Sequence, residues 1–152
     1  MARKVHRKIG LEVDGLDELL DRLNALGGSV EQTVETALIQ SKKRVTKEVE
    51  AAMDKSPYNY DRTGRTRKSL DKESVVDWEG GVASIGVGFD ISNGGLASVF
   101  LMYGTHFHGT PRIKPDRGLY RALFGKEIRE EVTKIQTEVI AGAITKTGLS
   151  HD

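Results

Sequence analysis

The sequence contains no cysteine, which excludes disulfide frameworks, thiolate zinc sites and thiol nucleophiles. Proline is scarce as well; its three copies, Pro57, Pro111 and Pro115, fall where segments change character. No charge of one sign dominates: 23 Lys and Arg face 22 Asp and Glu, and the net charge of +1 gives no global attraction to nucleic acid or membrane. No apolar run approaches the ~20 residues of a membrane span. The basic start, Met1 to Lys8, is followed at Ile9–Val13 by a stretch too short and too polar for a signal peptide, so a soluble protein without a cleaved leader is expected. P-loop, G-x-S-x-G and H-E-x-x-H patterns are also missing.

At 152 residues the chain matches the size of one domain that stabilises itself by burial alone. Residues 1–8 read as a flexible basic arm, 9–146 as a single domain and 147–152 as a frayed tail. Ile9, Leu11 and Val13 alternate with Gly10, Glu12 and Asp14 as in a half-buried strand. Asp14 is placed to cap a short helix with Leu16, Leu19, Leu20 and Leu23 on one face, ended by Gly27-Gly28.

Ser29, with Gln32 three residues on, has the form of a capping box. Val30, Val34, Leu38, Ser41, Val45, Val49 and Ala52 then trace one face of a helix running to Lys55, where Ser56-Pro57 stops it. Glu31, Glu35, Lys42, Lys43, Lys47 and Glu50 occupy the other face. Residues 58–70 read as a polar loop with one helical turn after Thr63. Ser74–Trp78, Glu79-Gly80-Gly81 and Val82–Phe89 read as an antiparallel hairpin, with Ile85, Val87 and Phe89 on one face. Ile91–Gly95 is a flexible link. The apolar run Ala97–Tyr103 is short enough for a buried strand, and Gly104–Lys114 is irregular. A terminal helix begins near Asp116, bent or broken at Gly125, with Ile128, Val132, Ile135 and Val139 continuing its face.

The pattern predicts an α+β fold: a small antiparallel sheet of about four strands packed against a long amphipathic helix and a C-terminal helix.

Three groups of residues invite chemistry. His106 and His108 form an H-x-H pair that would share one face of a strand, as in a metal-dependent hydrolase, but no third ligand lies near in sequence. Gly86-Val-Gly88 lacks the third glycine and the following helix of a dinucleotide loop, and reads as strand glycines beside a close neighbour. The stretch Arg62, Arg65, Arg67, Lys68 and Lys72, preceded by Tyr58 and Tyr60, is suited to touching phosphates with tyrosines for stacking, as in a nucleic-acid-binding module. No recognised nucleic-acid-binding motif accompanies the charge, so the favoured reading of the stretch is a loop that solvent surrounds or a partner protein orders.

Two segments resemble the HK97-type phage neck and tail-completion family. Asp61-Arg62-Thr63-Gly64-Arg65-Thr66-Arg67-Lys68-Ser69-Leu70 is similar to that family's D-T-G-x-L-x-x-S pattern, which follows a long helix and a proline. Val99–Tyr103-Gly104-Thr105 is similar to its strand ending in aromatic-Gly-Thr, followed by a proline-containing loop and a terminal helix. Gly15-Leu16-Asp17-Glu18-Leu19 looks like its G-L-x-E-L opening. The chain departs from the family at Arg62, which interrupts Asp-Thr-Gly, at Thr66-Arg67, where an apolar residue is common, and at Met102, where an acid is frequent.

The resemblance spans residues 10 to 140. It implies a non-enzymatic structural subunit of a tailed phage or prophage, acting in head–tail joining or, alternatively, as a tail terminator. On that reading it needs no cofactor and no metal. Its partners are copies of itself in a ring, connector or head-completion proteins, tail proteins and the passing DNA, but no membrane. Residues 58–70, with Arg62, Thr63, Gly64, Arg65, Arg67 and Lys68, and residues 90–96 are the expected assembly or DNA-facing loops. Tyr103, Gly104 and Thr105 are the expected strand end. The expected location is the virion, and the host cytoplasm during assembly.

Overall fold

The computed structural model describes residues 7–10, 16–60, 63–79 and 82–149. Strand β1 (Arg7–Gly10) pairs with residues 84–87, so Arg7 and Lys8 belong to a sheet and not to a free basic arm. Leu11, Val13 and the predicted cap Asp14 lie outside the described residues. Helix α1 (Leu16–Ala25) ends as its glycine pair predicts. Gly27 takes φ +76° and donates its N–H to the Asn24 carbonyl, while the Gly28 N–H reaches back to Leu23, each at 3.0 Å. This pair of bonds satisfies carbonyls that a helix end otherwise leaves open.

Helix α2 (Val30–Lys55) has the predicted bounds. The Ser29 hydroxyl accepts the Gln32 N–H at 3.4 Å, and the chain turns extended at Ser56 before Pro57. Val34, Leu38, Ser41, Val45 and Val49 are buried as the periodicity predicts, together with Ala37 and Met53. Burial of each Val or Leu stabilises the fold by roughly 1.5–3 kcal/mol, so this one face outweighs any single polar contact on the other. Lys42 departs from the expected outer face: it is buried, because Asp71 and the chain at Glu73 fold over it.

A single helical turn, α3 (Arg65–Lys68), stands in the segment after Thr63. Strands β2 (Val76–Glu79) and β3 (Val82–Val87) form the predicted hairpin, with Glu79 opposite Val82. Ala83, Ile85, Val87 and Phe89 face the core. The sheet has three strands in the order β1-β3-β2, not four. The predicted fourth strand is instead a helix, α4 (Leu96–Tyr103), entered through a 3-10 turn at Ile91–Asn93. The Asp90 carboxylate accepts the Ser92 N–H at 3.0 Å, Gly94 takes φ +94°, and the chain is already coiling when the apolar run begins.

Gly104, at φ +73°, ends α4, and the stretch expected to be irregular is a second antiparallel ribbon of β4 (Thr105–Phe107) and β5 (Thr110–Ile113). Tyr103-Gly104-Thr105 is thus a helix-to-strand junction and not a strand end. Asp116 caps α5 (Arg117–Phe124) by accepting the Leu119 N–H at 3.1 Å. Gly125 breaks the terminal helix, and α6 (Lys126–Leu149) runs past Thr147, where the frayed tail was expected.

Helix α2 packs against β3 as well as α5 and α6, and α1 packs on α6. The result is a mixture of helices and small antiparallel sheets around one cluster that joins Leu38 and Val45 to Ile85, Phe89, Leu119, Leu123 and Ile128.

Candidate functional site

The basic stretch after α2 is tied down at both ends. Behind Pro57, the Tyr58 hydroxyl donates to the Lys114 carbonyl at 2.5 Å and the Tyr60 hydroxyl donates to Asp116 Oδ2 at 2.8 Å. The Ser56 hydroxyl donates to the same carboxylate oxygen at 2.6 Å, while Asp116 Oδ1 caps α5. One buried carboxylate therefore joins the end of α2, the start of the basic stretch and the start of α5. Burial first, and the hydrogen bond to Asp116 second, push the Tyr60 phenol well above its ordinary pKa. Tyr60 is buried and Tyr58 half-buried, so neither ring is presented for base stacking.

At the other end, Leu70 bridges to Phe89, the Asp71 N–H donates to Gly88 at 2.8 Å, and the Asp90 N–H donates to Ser69 at 2.7 Å. Lys42 clamps the exit: its Nζ lies 2.8 Å from Asp71 Oδ2 and 2.5 Å from the Glu73 carbonyl. Between these anchors, Gly64 at φ +66° turns the chain into α3, Thr66 is buried, and the Ser69 hydroxyl closes the turn onto Thr66 at 2.7 Å.

Among the bases, Arg67 pairs with Asp54 at 3.0 Å and Lys72 with Glu50 at 2.5 Å, both on the outer face of α2. Arg65 and Lys68 are exposed and make no ion pair among the described residues, Thr63 is exposed, and Arg62 lies outside them. The two expected assembly loops meet in space: α3 packs on α4, and a Cβ on Gly94 would sit 3.7 Å from the Arg65 carbonyl.

His106 and His108 do not form a pair on one strand face. His106 lies in β4, whereas His108, at φ +48°, and Gly109, at φ +78°, form the two-residue turn between β4 and β5. The alternation that would aim both imidazoles one way stops at Phe107. Among the described residues no three His, Cys, Asp or Glu side chains are grouped to hold a metal ion. No helix there is long and apolar enough to cross a membrane.

Helix α4 supplies the feature that the strand reading hid. Ser98 and Met102 face inward, while Leu96, Phe100 and Tyr103, at i, i+4 and i+7, face out with 52%, 49% and 54% of their surface exposed. Tyr120 of α5 extends this stripe: its ring lies edge-on to Tyr103 at 6.0 Å and beside Phe124 at 5.2 Å. An open groove of about 400 Å³ runs alongside, lined by Met102, Tyr103, Pro115, Arg117, Tyr120 and Arg121. Read at helical spacing, Leu96, Phe100 and Tyr103 carried this signal in the sequence; the Asp116 junction and the burial of Lys42 left no local trace.

Comparison of the chain with protein-family models, curated proteins and solved structures gives no match.

Proposed function

We propose that the chain is a structural subunit of a tailed bacteriophage or prophage that helps join head to tail, as a neck or tail-completion protein. The observation that carries this reading is the outward apolar stripe of α4 and Tyr120. A contiguous exposed apolar strip beside charged residues is the mark of a surface that a partner covers. A subunit that functions only in an assembly needs such a surface.

The assignment to a phage rests on the order of short motifs that resemble the neck and tail-completion family. Support comes from the meeting of the two expected loops: α3, within the Thr63–Leu70 motif, packs on α4, and Gly94 just before that helix approaches the Arg65 carbonyl, whereas Tyr103-Gly104-Thr105 stands at the far end of α4 and closes a helix where the family has a strand. Two stretches far apart in sequence thus contribute to one region, as a shared assembly role requires. On this reading the partners are further copies of the chain around the DNA channel, connector or head-completion proteins on one side and tail proteins on the other. A tail-terminator position uses the same surfaces. The virion is the site of action, and no cofactor is assigned.

The nucleic-acid reading has less support, because Tyr58 and Tyr60 are engaged by Lys114 and Asp116, and Arg67 and Lys72 by α2.

Inactivating the gene in its parent phage and imaging the lysate by negative-stain electron microscopy tests the proposal. DNA-filled heads beside separate tails are expected; normal infectious particles overturn it.

A further inference from the structure

Charge is distributed unevenly along a chain whose total is close to neutral. Residues 71–90 hold five acids, Asp71, Glu73, Asp77, Glu79 and Asp90, against Lys72 alone. Residues 91–126 hold five bases, Arg112, Lys114, Arg117, Arg121 and Lys126, against Asp116 alone, which is buried at the α5 cap.

The fold turns these stretches into two surfaces with no element in common. On the first, the β2–β3 register sets Glu79 opposite Val82 and Asp77 opposite Ser84. Strand alternation places these residues on the face opposite the buried Ala83, Ile85 and Val87. Val75, Asp77, Glu79 and Val82 are exposed, Val82 by 64%. Asp77 and Glu79 flank this apolar patch along β2, while the β1 register sets Lys8, the one base of the face among the described residues, opposite Gly86, which leaves the face acidic on balance. The second surface is the α4–α5 stripe of Leu96, Phe100, Tyr103 and Tyr120, with Arg117 and Arg121 exposed beside it and in no ion pair among the described residues. This is an apolar patch among guanidinium groups.

Each surface fits the other better than it fits itself. A two-fold contact between two α4–α5 faces brings two cationic rims into one interface, and a contact between two sheet faces brings together two acidic ones. Like charges so placed oppose association, whereas opposite rims around apolar centres favour it and fix its register. A contact between unlike surfaces of identical chains is head-to-tail, and such contacts propagate, into rings where the rotation closes and into open filaments where it does not.

We infer that the outer sheet face around Val82 of one copy docks on the α4–α5 face around Phe100 and Tyr120 of the next, in a head-to-tail contact between copies of this chain. The inference rests on the structural-subunit reading and names the surfaces that reading uses.

The absence of native cysteine gives a direct test. In the full chain carrying Val82→Cys and Phe100→Cys, oxidation at low salt is expected to give a ladder of dimers, trimers and larger species. Either single variant should give none. Adding Arg117→Glu and Arg121→Glu should cut the ladder roughly tenfold or more, because the reversed rim then faces carboxylates. Adding Asp77→Lys and Glu79→Lys to that chain should restore it, which excludes misfolding as the cause of the loss. No ladder in the double-cysteine chain, a ladder indifferent to charge reversal, or dimers from Phe100→Cys alone overturns the inference.

The parent phage separates this failure from failure of the wider reading. If the Arg117→Glu/Arg121→Glu chain complements a gene deletion as well as the native chain, the interface is wrong and the joining role stands. If the deletion leaves particles normal, the joining role is wrong whatever the thiols do.

Discussion

Replacing Lys42 by methionine keeps the length and apolar stem of the side chain but removes the ammonium that ties residues 71–73 to α2. Lys42 and Asp71 side chains are 3% and 9% exposed, and the ammonium also serves the Glu73 carbonyl at 2.5 Å. After the change, Asp71 keeps the Glu73 N–H at 3.0 Å but loses its cation, and the Glu73 carbonyl loses a donor. Removing one partner of a buried pair costs about 3–5 kcal/mol, most of it from the stranded charge. Residual water access at Asp71 sets the expectation at the low end, about 3–4 kcal/mol. Urea is the denaturant of choice, because guanidinium is a salt and screens the pair. With an m-value of about 2 kcal/mol/M, the midpoint should fall by about 1.5–2 M. Asp71→Asn in the Lys42→Met background should recover part of the loss, since it removes the carboxylate that Lys42 neutralised. A fall of less than about 1 kcal/mol, or costs of the two changes that simply add, would refute the clamp.

Four further outcomes are expected. The raised pKa of the Tyr60 phenol means that its stabilising contribution is complete below the unfolded-state value near 10 and declines above it, by about 1.4 kcal/mol per pH unit. Tyr60→Phe should therefore flatten the fall of the urea midpoint between pH 9 and 11 while costing about 1–2 kcal/mol at neutral pH; equal slopes in both chains count against it. Gly104→Ala places a Cβ 2.5 Å from the Ile113 carbonyl at φ +73° and should lower Tm by about 4–8 °C. Gly109→Ala, with no atom within 4 Å, should cost only the backbone strain, which differential scanning calorimetry can resolve. Phe100→Ser should cost no more than about 1–1.5 kcal/mol, because half of the ring's surface is already exposed, yet reduce complementation of a gene deletion in the parent phage.

Helix α2 was legible because its signals are local and agree: a capping serine, apolar residues at steps of three and four, and a terminating Ser-Pro. The β2–β3 hairpin and the Asp116 start of the last helical segment were legible for the same reason. Helix α4 was not, because Leu96 to Tyr103 holds Ser98 as its one polar residue, and Ser98 faces inward, so no polar face marks the period. Its outward side is apolar too, so burial could not separate helix from strand. Lys42 was misplaced because its environment is made by Asp71 and Glu73, 29 and 31 residues away. The Asp116 junction depends on partners 56 and 60 residues earlier, and no window of sequence brings them together. The expected loop residues Thr63, Gly64, Arg65, Arg67 and Lys68 do share one short segment, but only the fold distinguishes Arg67, held by α2, from the outward Arg65 and Lys68.

The dependence of α2 on distant partners has a consequence for synthesis. Its apolar face is complete once Met53 is made, yet the residues that cover it arrive at Ala83 in β3, at Leu119 in α5 and at Ile128 in α6. At ~5–20 residues per second, the ribosome takes roughly 4–15 s to travel from Met53 to Ile128. During that interval a half-made chain carries an apolar helix face that is only partly covered. α1 and β1 are already made, Tyr60 and Leu70 come next and β3 after them, so α2 is covered from the sheet side before the helical layer closes.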